Sequence, residues 1–217
     1  MPIPFYPTGT EVFDFGDCPG LPAGRVVHLF GDENTGKTTL ALLAAAEVAR
    51  GGWQVAYIDW TNGIVPDFAA HLGAGLREFL ASFALFQPST QLEGAQIAAE
   101  CIKGGINLLV LDGFCGDVNQ FTTMADRIET IRMWTQHFPA LKEAARKADV
   151  AILVMSRGNR QGTQCGTALK FLADRRIFIQ RRAFFPEIDF AYLKDKLGRG
   201  GDGVYSLPIP LPAMASP

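Results

Sequence analysis

Stretches of β-branched and other apolar residues alternate along most of this chain with segments in which apolar residues recur at helical spacing. The apolar stretches predict strands at Arg25–Phe30, Gln54–Asp59, Phe83–Phe86, Asn107–Asp112 and Val150–Met155. The helical patterns fall between and after them, at Lys37–Arg50, Pro66–Leu72, Gln91–Lys103, Met124–Lys147 and Thr167–Ala173. Because strands and helices alternate, we expect an α/β fold with a mostly parallel sheet flanked by helices. Pro139 predicts a kink or break in its helix.

The last third of the chain loses this alternation. Strand patterns at Arg176–Gln180, Asp189–Lys194 and Val204–Leu207 follow one another without long helices between them. They predict an antiparallel, β-rich extension over 175–208 on an α/β core over 21–174. We expect 1–20 to form an N-terminal arm and 209–217 a frayed tail, all within a single domain.

A complete G-x-x-x-x-G-K-[ST] motif joins the first predicted strand to the first predicted helix. Its residues are Gly31, Asp32, Glu33, Asn34, Thr35, Gly36, Lys37, Thr38 and Thr39. In such a loop, backbone N–H groups and the helix N-terminus surround the phosphates of a nucleotide. Lys37 would reach the β- and γ-phosphates, and the Thr38 hydroxyl would ligate Mg²⁺. The alternative is a chance match in a glycine-rich chain, against which the flanking strand and helix argue.

An acidic residue that could complete this nucleotide site stands at the end of a predicted buried strand. Asp112 follows the apolar run Asn107–Leu111, and P-loop nucleotidases need an acid in such a place near Mg²⁺. The alternative is an aspartate that caps the next element. Because ligands of parallel sheets bind at the carboxyl ends of strands, we expect Asp59, Asp112 and Ser156 to line one site.

Composition narrows the function only modestly. The chain has 217 residues, 48% of them hydrophobic, and a net charge of −2, so DNA binding would need a local basic patch or assembly. The four cysteines form no C-x-x-C pair, which is typical of reduced thiols in a cytosolic protein. With no signal-peptide pattern and no apolar run of membrane-span length, we expect a cytoplasmic protein without membrane association.

Several segments follow one another in a distinctive order: Gly20–Arg25, Gly31–Leu40, Tyr57–Asp59, Pro66–Gly73, Gly166–Phe171 and Lys194–Lys196. Together they resemble the RecA family of recombinases, and its bacterial members most closely. The phosphate loop alone fits many folds, but the later matches in this order do not. The resemblance covers about Thr8 to Leu207 and implies a RecA-like P-loop ATPase core that binds ATP and Mg²⁺. Relative to bacterial members, we expect the long N-terminal helix and the C-terminal domain to be missing.

The resemblance also implies roles for single residues. Phe68 would stack on adenine, although an ordinary core phenylalanine is the alternative. Lys194 and Lys196 would reach the γ-phosphate bound by a neighbouring protomer and act in catalysis together with Lys37. The segment Gly166–Phe171 would lie at the interface between protomers. These roles require self-association or a RecA-type partner across the nucleotide site.

Two loops would face DNA in this fold. The first, Gly113–Thr123, contains no lysine or arginine. The second, Arg157–Gly166, carries Arg157 and Arg160 among glycines, which suits contacts to the phosphates of single-stranded DNA. A solvated surface loop is the alternative reading of the second segment.

The chain departs from the family where ATP hydrolysis is concerned. Thr61 occupies the position of the glutamate that positions the attacking water. At the end of the next core strand the family has Asn-Gln, whose glutamine senses the γ-phosphate, and here Met155-Ser156-Arg157 follows instead. Val65 replaces an aspartate that contacts the adenine amine. Loss of a water-positioning group lowers the rate by about 10² to 10⁴. The departures therefore predict nucleotide binding with slow or impaired hydrolysis.

Two functions stay open at this point. The first is a minimal recombinase core that assembles on single-stranded DNA with ATP as its switch and supports homologous recombination and DNA repair. The alternative is a non-catalytic RecA paralogue that serves a recombinase or a translesion polymerase as an accessory interaction module. A hexameric helicase fits less well, because such motors generally use an arginine finger where this chain resembles the lysine-pair version.

Overall fold

A computed structural model describes residues 3–14, 19–64, 82–115, 123–160, 162–163, 168–182, 187–196 and 201–206. The strands of the first half are β1 (Phe5–Tyr6), β2 (Leu21–Pro22), β3 (Val26–Gly31), β4 (Val55–Asp59), β5 (Phe83–Phe86) and β6 (Leu108–Asp112). Those of the second half are β7 (Ala151–Asn159), β8 (Gly162–Thr163), β9 (Arg175–Arg181), β10 (Glu187–Asp195) and β11 (Asp202–Ser206). The described helices are α1 (Lys37–Arg50), α2 (Gln91–Lys103), α3 (Met124–Lys147) and α4 (Ala168–Leu172).

One large sheet organises the molecule. Its strand order is β11-β10-β9-β3-β7-β6-β4-β5, with β8 paired to β7 off this path. The six strands from β9 to β5 run parallel, whereas β10 and β11 are antiparallel. The α/β prediction, with its antiparallel extension, is confirmed. The extension begins as a strand of the main sheet, because β9 pairs in parallel with β3.

Apolar side chains on both faces explain why the central strands are buried. One face packs against α1 through residues such as Val27, Leu29 and Leu40. The other face packs against α2 and α3, which contribute residues such as Ala98 and Trp134. Sheets covered on both sides need nearly continuous apolar strands, and every residue of β3, β4 and β6 is buried.

Two local predictions were wrong. The segment that begins at Arg157 is not a loop at first: β7 continues to Asn159 and forms an antiparallel pair with β8. Parallel pairing of Arg157 with Gly31 holds the extra residues in the sheet. Of the kink or break predicted at Pro139, the break is absent, because α3 runs through the proline. Buried Trp134, Phe138 and Leu141 pack α3 onto the sheet on both sides of the proline, which offsets the missing backbone hydrogen bond.

The topology places candidate functional residues at two opposite edges of the sheet. The carboxyl ends of β3, β4, β6 and β7 meet at one edge, next to the start of α1. Because β10 is antiparallel, its carboxyl end lies at the opposite edge, beside Arg175 and Arg176 at the start of β9. The predicted helix at 66–72, with Phe68, lies outside the described residues. Within the part of the chain that the structure describes, no helix is long and apolar enough to cross a membrane.

Candidate nucleotide site

The phosphate-loop sequence folds into a tight turn between β3 and α1. A Cβ atom on Gly31 would lie 2.3 Å from the carbonyl oxygen of Ile179, so the strand can end here only with glycine. Gly36 has φ 92°, a left-handed conformation that favours glycine, and it precedes α1 without a side-chain cap. Since no side chain caps this end, the amides of the first helical turn can donate to an anionic ligand.

Lys37 is held across this loop. Its Nζ donates hydrogen bonds to the carbonyl oxygens of Gly31, at 3.1 Å, and Asp32, at 2.5 Å. A third bond of 3.3 Å reaches the Thr35 hydroxyl, which itself donates to the Asp32 carbonyl oxygen. The ammonium group is therefore fixed beside the loop amides, where a phosphate would meet both. The role of Lys37 toward the β- and γ-phosphates stays a prediction.

Thr38 and Asp112 come together from α1 and β6. The Thr38 Oγ1 donates to Asp112 Oδ2 at 2.8 Å, and the Tyr57 hydroxyl donates to the same oxygen at 2.9 Å. Because the Thr38 proton points to Asp112, the lone pairs of Thr38 Oγ1 are left for another partner. Oxygen atoms of this kind, one hydroxyl and one carboxylate, suit Mg²⁺, which keeps several waters and phosphate oxygens as its other ligands.

The pKa of Asp112 is raised to about 6, primarily by burial of the carboxyl group. Hydrogen bonds from Thr38 and Tyr57 and the charge of Lys37 act in the opposite direction, whereas the charge of Asp59 raises the pKa further. A cation beside Asp112 would favour its ionised form. The carboxylate is thus arranged to bind a cation near neutral pH.

Thr61 lines the other side of the pocket and is bound to the buried Asp59 behind it. The Thr61 Oγ1 donates to Asp59 Oδ1 at 2.6 Å, and the Thr61 backbone N–H donates to the same oxygen at 2.9 Å. Asp59 Oδ2 accepts from the Ile64 backbone N–H at 3.1 Å and from Gln87 at 3.3 Å. Asp59 is fully buried, so the expectation that it lines the site was wrong. Thr61 covers it, with its hydroxyl proton committed to the aspartate.

An open pocket of about 350 Å³ unites these groups. It is lined by Glu33, Asn34, Lys37, Thr38, Thr61, Asp112, Gly113, Phe114, Met155, Ser156 and Arg157. The expectation that Asp112 and Ser156 share one site is confirmed. Gly31, Thr35, Gly36 and Thr39 support the pocket from the loop and the first turn of α1.

The two arginines predicted to contact DNA lie in different surroundings. Arg157 lines the pocket and forms an ion pair with Glu33 of the phosphate loop. Arg160 lies in the turn after β7, with its guanidinium 5.4 Å from the centre of the Phe178 ring. Only Arg160 thus stands away from the pocket, on the β7–β8 hairpin.

Lys194 and Lys196 lie at the opposite edge of the sheet from the phosphate loop. Lys194 Nζ donates to the carbonyl oxygens of Lys170, at 2.8 Å, and Phe171, at 3.2 Å. Lys196 Nζ lies 4.0 Å from Asp174 Oδ1. Partial burial, followed by the charge of Lys196, lowers the pKa of Lys194. Lys194 pairs with Arg176, and Arg176 pairs with His28, three positions before Gly31. This offset along the strands is about 10 Å at the usual rise per residue.

A buried histidine next to the pocket escaped the sequence interpretation. His28 Nε2 lies 2.8 Å from Ser156 Oγ, and the imidazole is fully buried. Burial and the nearby charge of Arg176 lower the pKa of His28 to about 3, so the ring is neutral. The one signal in the sequence is a polar residue inside the apolar strand Val26–Gly31.

Comparison with known proteins places these features in a family. A family model described as the RecA N-terminal domain matches residues 2–189. Protein RecA of Lactiplantibacillus pentosus is 32% identical over 177 residues, which cover 75% of this chain and 46% of that protein. Protein RecA of Limosilactobacillus reuteri (strain DSM 20016) is 33% identical, over 75% of this chain and 48% of that protein. The corresponding values for Bacillus mycoides Protein RecA are 31%, 75% and 50%.

The chain spans about half the length of the curated relatives it matches. The match to the family model nevertheless covers most of this chain, from residue 2 to residue 189. The chain therefore belongs to the RecA family.

Proposed function

We propose that this member of the RecA family binds ATP with Mg²⁺, assembles on single-stranded DNA in that state, and supports homologous recombination and DNA repair. The observation that carries the proposal is the joint placement of Lys37, Thr38 and Asp112 around one pocket. Lys37 and the loop amides would bind the phosphates, and Thr38 and Asp112 would hold Mg²⁺. When bound, Mg²⁺ would neutralise phosphate charge and orient the phosphate chain. A cytoplasmic location remains a prediction.

ATP would act mainly as an assembly switch. Lys194 and Lys196 lie at the edge of the sheet opposite the phosphate loop, and this location supports contact with a nucleotide held by a neighbour. The cationic cluster there, in which Lys142, Lys196 and Arg176 all disfavour the charged form of Lys194, would be relieved by an anion. A γ-phosphate at the interface would supply that anion, and its loss would weaken the assembly.

Hydrolysis would be slow because the pocket has a threonine where a base or a water-positioning acid is needed. The Thr61 hydroxyl donates to Asp59, and both oxygens of Asp59 already accept hydrogen bonds. Neither group is arranged to orient a water for attack. Release from DNA would therefore depend on slow turnover or on nucleotide exchange.

DNA contacts would come from Arg160 on the β7–β8 hairpin and from Arg157 at its base. Arg157 reaches the phosphate loop through its ion pair with Glu33, so the nucleotide and the hairpin share one cation. This shared arginine supports a link between ATP binding and DNA binding. Arginines contact DNA phosphates without base preference, so the affinity should fall steeply with salt.

The test is binding to fluorescent single-stranded DNA with ATP, ADP or no nucleotide, combined with negative-stain microscopy of the complexes. We expect assemblies with ATP and Mg²⁺, and none with Lys37→Ala. Lys103→Ala is the matched control, since Lys103 is an exposed lysine paired only with Glu100 in the described residues. Failure to bind single-stranded DNA with any nucleotide would overturn the proposal.

The trans role of the lysine pair has its own test. A mixture of Lys37→Ala protomers with Lys194→Ala/Lys196→Ala protomers should recover part of the ATP-dependent assembly that each lacks alone. Recovery is expected because some interfaces would combine an intact phosphate loop with an intact lysine pair. If the mixture shows no more ATP-dependent assembly than either variant alone, contact of the lysine pair across the interface would be contradicted.

The second candidate function is an accessory RecA paralogue without catalysis. The bond from Thr61 to Asp59 favours it, because Thr61 offers no base and both oxygens of Asp59 already accept hydrogen bonds. This reading predicts a monomer or heterodimer by light scattering, and no stimulation of ATP turnover by DNA. An ATP-dependent homo-oligomer on DNA would exclude it.

A further inference from the structure

We infer that the buried ion pair between Arg175 and Asp195 positions the lysine pair: it fixes the register in which the end of β10 meets the start of β9, so that Lys194 and Lys196 face a neighbouring protomer. The inference rests on the proposed trans role of these lysines and names the residues that prepare them for it. Arg175 and Asp195 are positioning residues, because both side chains are buried and act only through the two lysines.

The end of β10 contains a one-residue irregularity. Up to Tyr192, which pairs with Ile177, the antiparallel register with β9 is regular, but the next pair joins Lys194 to Arg176. Leu193 is therefore an extra residue on β10, as in a β-bulge. Such bulges redirect the side chains that follow them on the strand.

The extra residue decides which face of the sheet each of the following side chains occupies. Directly paired residues of an antiparallel sheet share a face, and successive residues alternate between faces. With the bulge, Lys194 shares a face with Arg176, and Asp195 shares the opposite, buried face with Arg175. Without it, Lys194 would stand opposite Arg175 on the buried face, since a shift of one residue moves every side chain to the other face.

Charge makes only the bulged register favourable. Asp195 Oδ2 lies 3.3 Å from Arg175 Nε, and both side chains are almost completely buried. In the regular register, the ammonium group of Lys194 would meet that guanidinium in place of the carboxylate. Because two like charges repel strongly where water is excluded, the ion pair selects the register with the bulge.

Arg175 is itself held in place by the N-terminal arm and by β10. Its Nη1 donates to the Phe13 carbonyl oxygen at 3.3 Å, and its guanidinium lies 5.2 Å from the centre of the Tyr192 ring. The Tyr192 hydroxyl in turn donates to the Val12 carbonyl oxygen at 2.7 Å. The cation therefore has a fixed position, to which the carboxylate of Asp195 must come.

The geometry of the ion pair suits selection of a register better than stabilisation of the fold. In the described part of the chain, Arg175 Nε and Nη2 are buried without a hydrogen-bond partner, so the contact with Asp195 joins two charges without an aligned hydrogen bond. A buried ion pair offsets its desolvation cost only when further hydrogen bonds satisfy both groups. Neutral residues at both positions should therefore leave the fold intact while removing the preference for this register. The double change also avoids the unpaired buried cation that Asp195→Asn alone would leave.

Asp174, the residue before β9, holds the second lysine. Its carbonyl oxygen accepts from the Lys196 backbone N–H at 3.1 Å, and its Oδ1 lies 4.0 Å from Lys196 Nζ. Asp174 is anchored to the start of β3, because its Oδ2 accepts from the Val26 backbone N–H at 3.0 Å. The bond to Lys196 belongs to the register in which Asp195 stands opposite Arg175, so this register also sets the position of Lys196.

The first experiment tests the register by hydrogen exchange of backbone amides in the full-length protein. We expect Arg175→Met/Asp195→Asn to speed exchange of the Lys196 amide about tenfold, the factor that corresponds to ordering one backbone residue. Amides at the start of β10 should stay as protected as in the wild type. Asp189→Asn, which removes an exposed ion pair with Arg182 at the other end of these strands, is the matched control and should change neither. Equal protection of the Lys196 amide in the double variant and the wild type would overturn the positioning argument.

The second experiment reads the consequence across the interface. Arg175→Met/Asp195→Asn should bind ATP within about twofold of the wild type, since sites without shared partners act independently. Its ATP-dependent assembly on single-stranded DNA should need about tenfold more protein, because the lysines must first be ordered. Mixed with Lys37→Ala it should recover assembly, and mixed with Lys194→Ala/Lys196→Ala it should recover none, because these two variants lack the same half of the interface. A general loss of stability would not distinguish between the two mixtures.

The outcomes separate this inference from the proposed function. If Lys37→Ala and Lys194→Ala/Lys196→Ala do not complement each other, the trans role in the proposed function fails, and the positioning of the lysines for it fails as well. If they complement each other, but Arg175→Met/Asp195→Asn assembles like the wild type or does not fold, this inference alone is overturned.

Discussion

The two sides of the pocket differ in completeness. We call Lys37, Thr38 and Asp112 the binding side, and Asp59 with Thr61 the water side. On the binding side, every polar group has a geometry that suits phosphate or Mg²⁺. On the water side, Asp59 and Thr61 make their hydrogen bonds to other groups of the protein. Under the proposed function, nucleotide binding and hydrolysis are therefore carried by different strand ends.

Removal of the binding side should have the largest effect. Lys37→Ala deletes a cation that is fixed beside the loop amides, and ATP affinity should fall at least 10²-fold, since charged hydrogen bonds contribute about 1.5–3 kcal/mol each. Calorimetry with and without Mg²⁺ measures this. Lys103→Ala, as the control, should bind like the wild type. Retention of ATP affinity in Lys37→Ala would place nucleotide binding elsewhere.

Restoration of the water side should raise turnover. Thr61→Glu introduces a carboxylate at the pocket wall, and the DNA-stimulated ATPase rate should rise by about 10²-fold, the low end of general base effects. Phosphate release measured under single-turnover conditions is the readout. Thr61→Gln, which has the same size without a basic group, should gain far less. Equal gains in both variants would indicate a change in packing rather than in catalysis.

Asp112→Asn tests the coupling of Mg²⁺ to the binding side. The amide keeps the size of the side chain but loses the charge, so the benefit of Mg²⁺ for ATP affinity should fall about tenfold. Binding of ATP in EDTA should change little. Titration of Mg²⁺ at fixed ATP separates the two. An unchanged Mg²⁺ dependence would remove Asp112 from the metal site.

His28 provides a pH test with a smaller effect. The pKa of His28 in the folded protein is about 3, below the ordinary 6.5. Between these two values the unfolded chain binds a proton at His28 that the folded protein does not bind. The stabilising contribution of neutral His28 is complete above 6.5 and is lost as the pH falls toward 3. The free energy of unfolding should fall by about 1.4 kcal/mol per pH unit within that window.

Chemical denaturation between pH 7 and pH 4 measures this slope. Asp112, whose folded pKa is raised to about 6, contributes in the opposite direction, so wild type and His28→Phe must be compared. The variant should show the smaller loss of stability in acid. Equal slopes in the two proteins would mean that His28 is protonated when folded.

Local signals explain how much of the fold could be predicted. The bounds of α1, α2 and β5 are those that the pattern predicts. The start of α2 follows from nearby residues: Thr90 caps it by accepting from the Glu93 backbone N–H. The phosphate loop is local as well, since six residues and the next helix define it.

Long-range register could not be predicted. The contact between His28 and Ser156 joins residues 128 positions apart, and the ion pair between Arg157 and Glu33 spans 124. Both depend on β7 lying next to β3, which no local pattern encodes. For the same reason, the continuation of β7 to Asn159 and the placement of Lys194 away from the loop became visible only in the assembled sheet.

The central claim is that the binding side holds ATP and Mg²⁺, whereas the water side does not support rapid hydrolysis. The most direct test measures both the ATP dissociation constant and the single-turnover hydrolysis rate in the same wild-type preparation, with Mg²⁺ and saturating single-stranded DNA. We predict Lys37-dependent ATP binding together with hydrolysis at least tenfold slower than in Thr61→Glu, well within the range of general base effects. A wild-type rate equal to that of Thr61→Glu, at equal ATP affinity, would contradict the account.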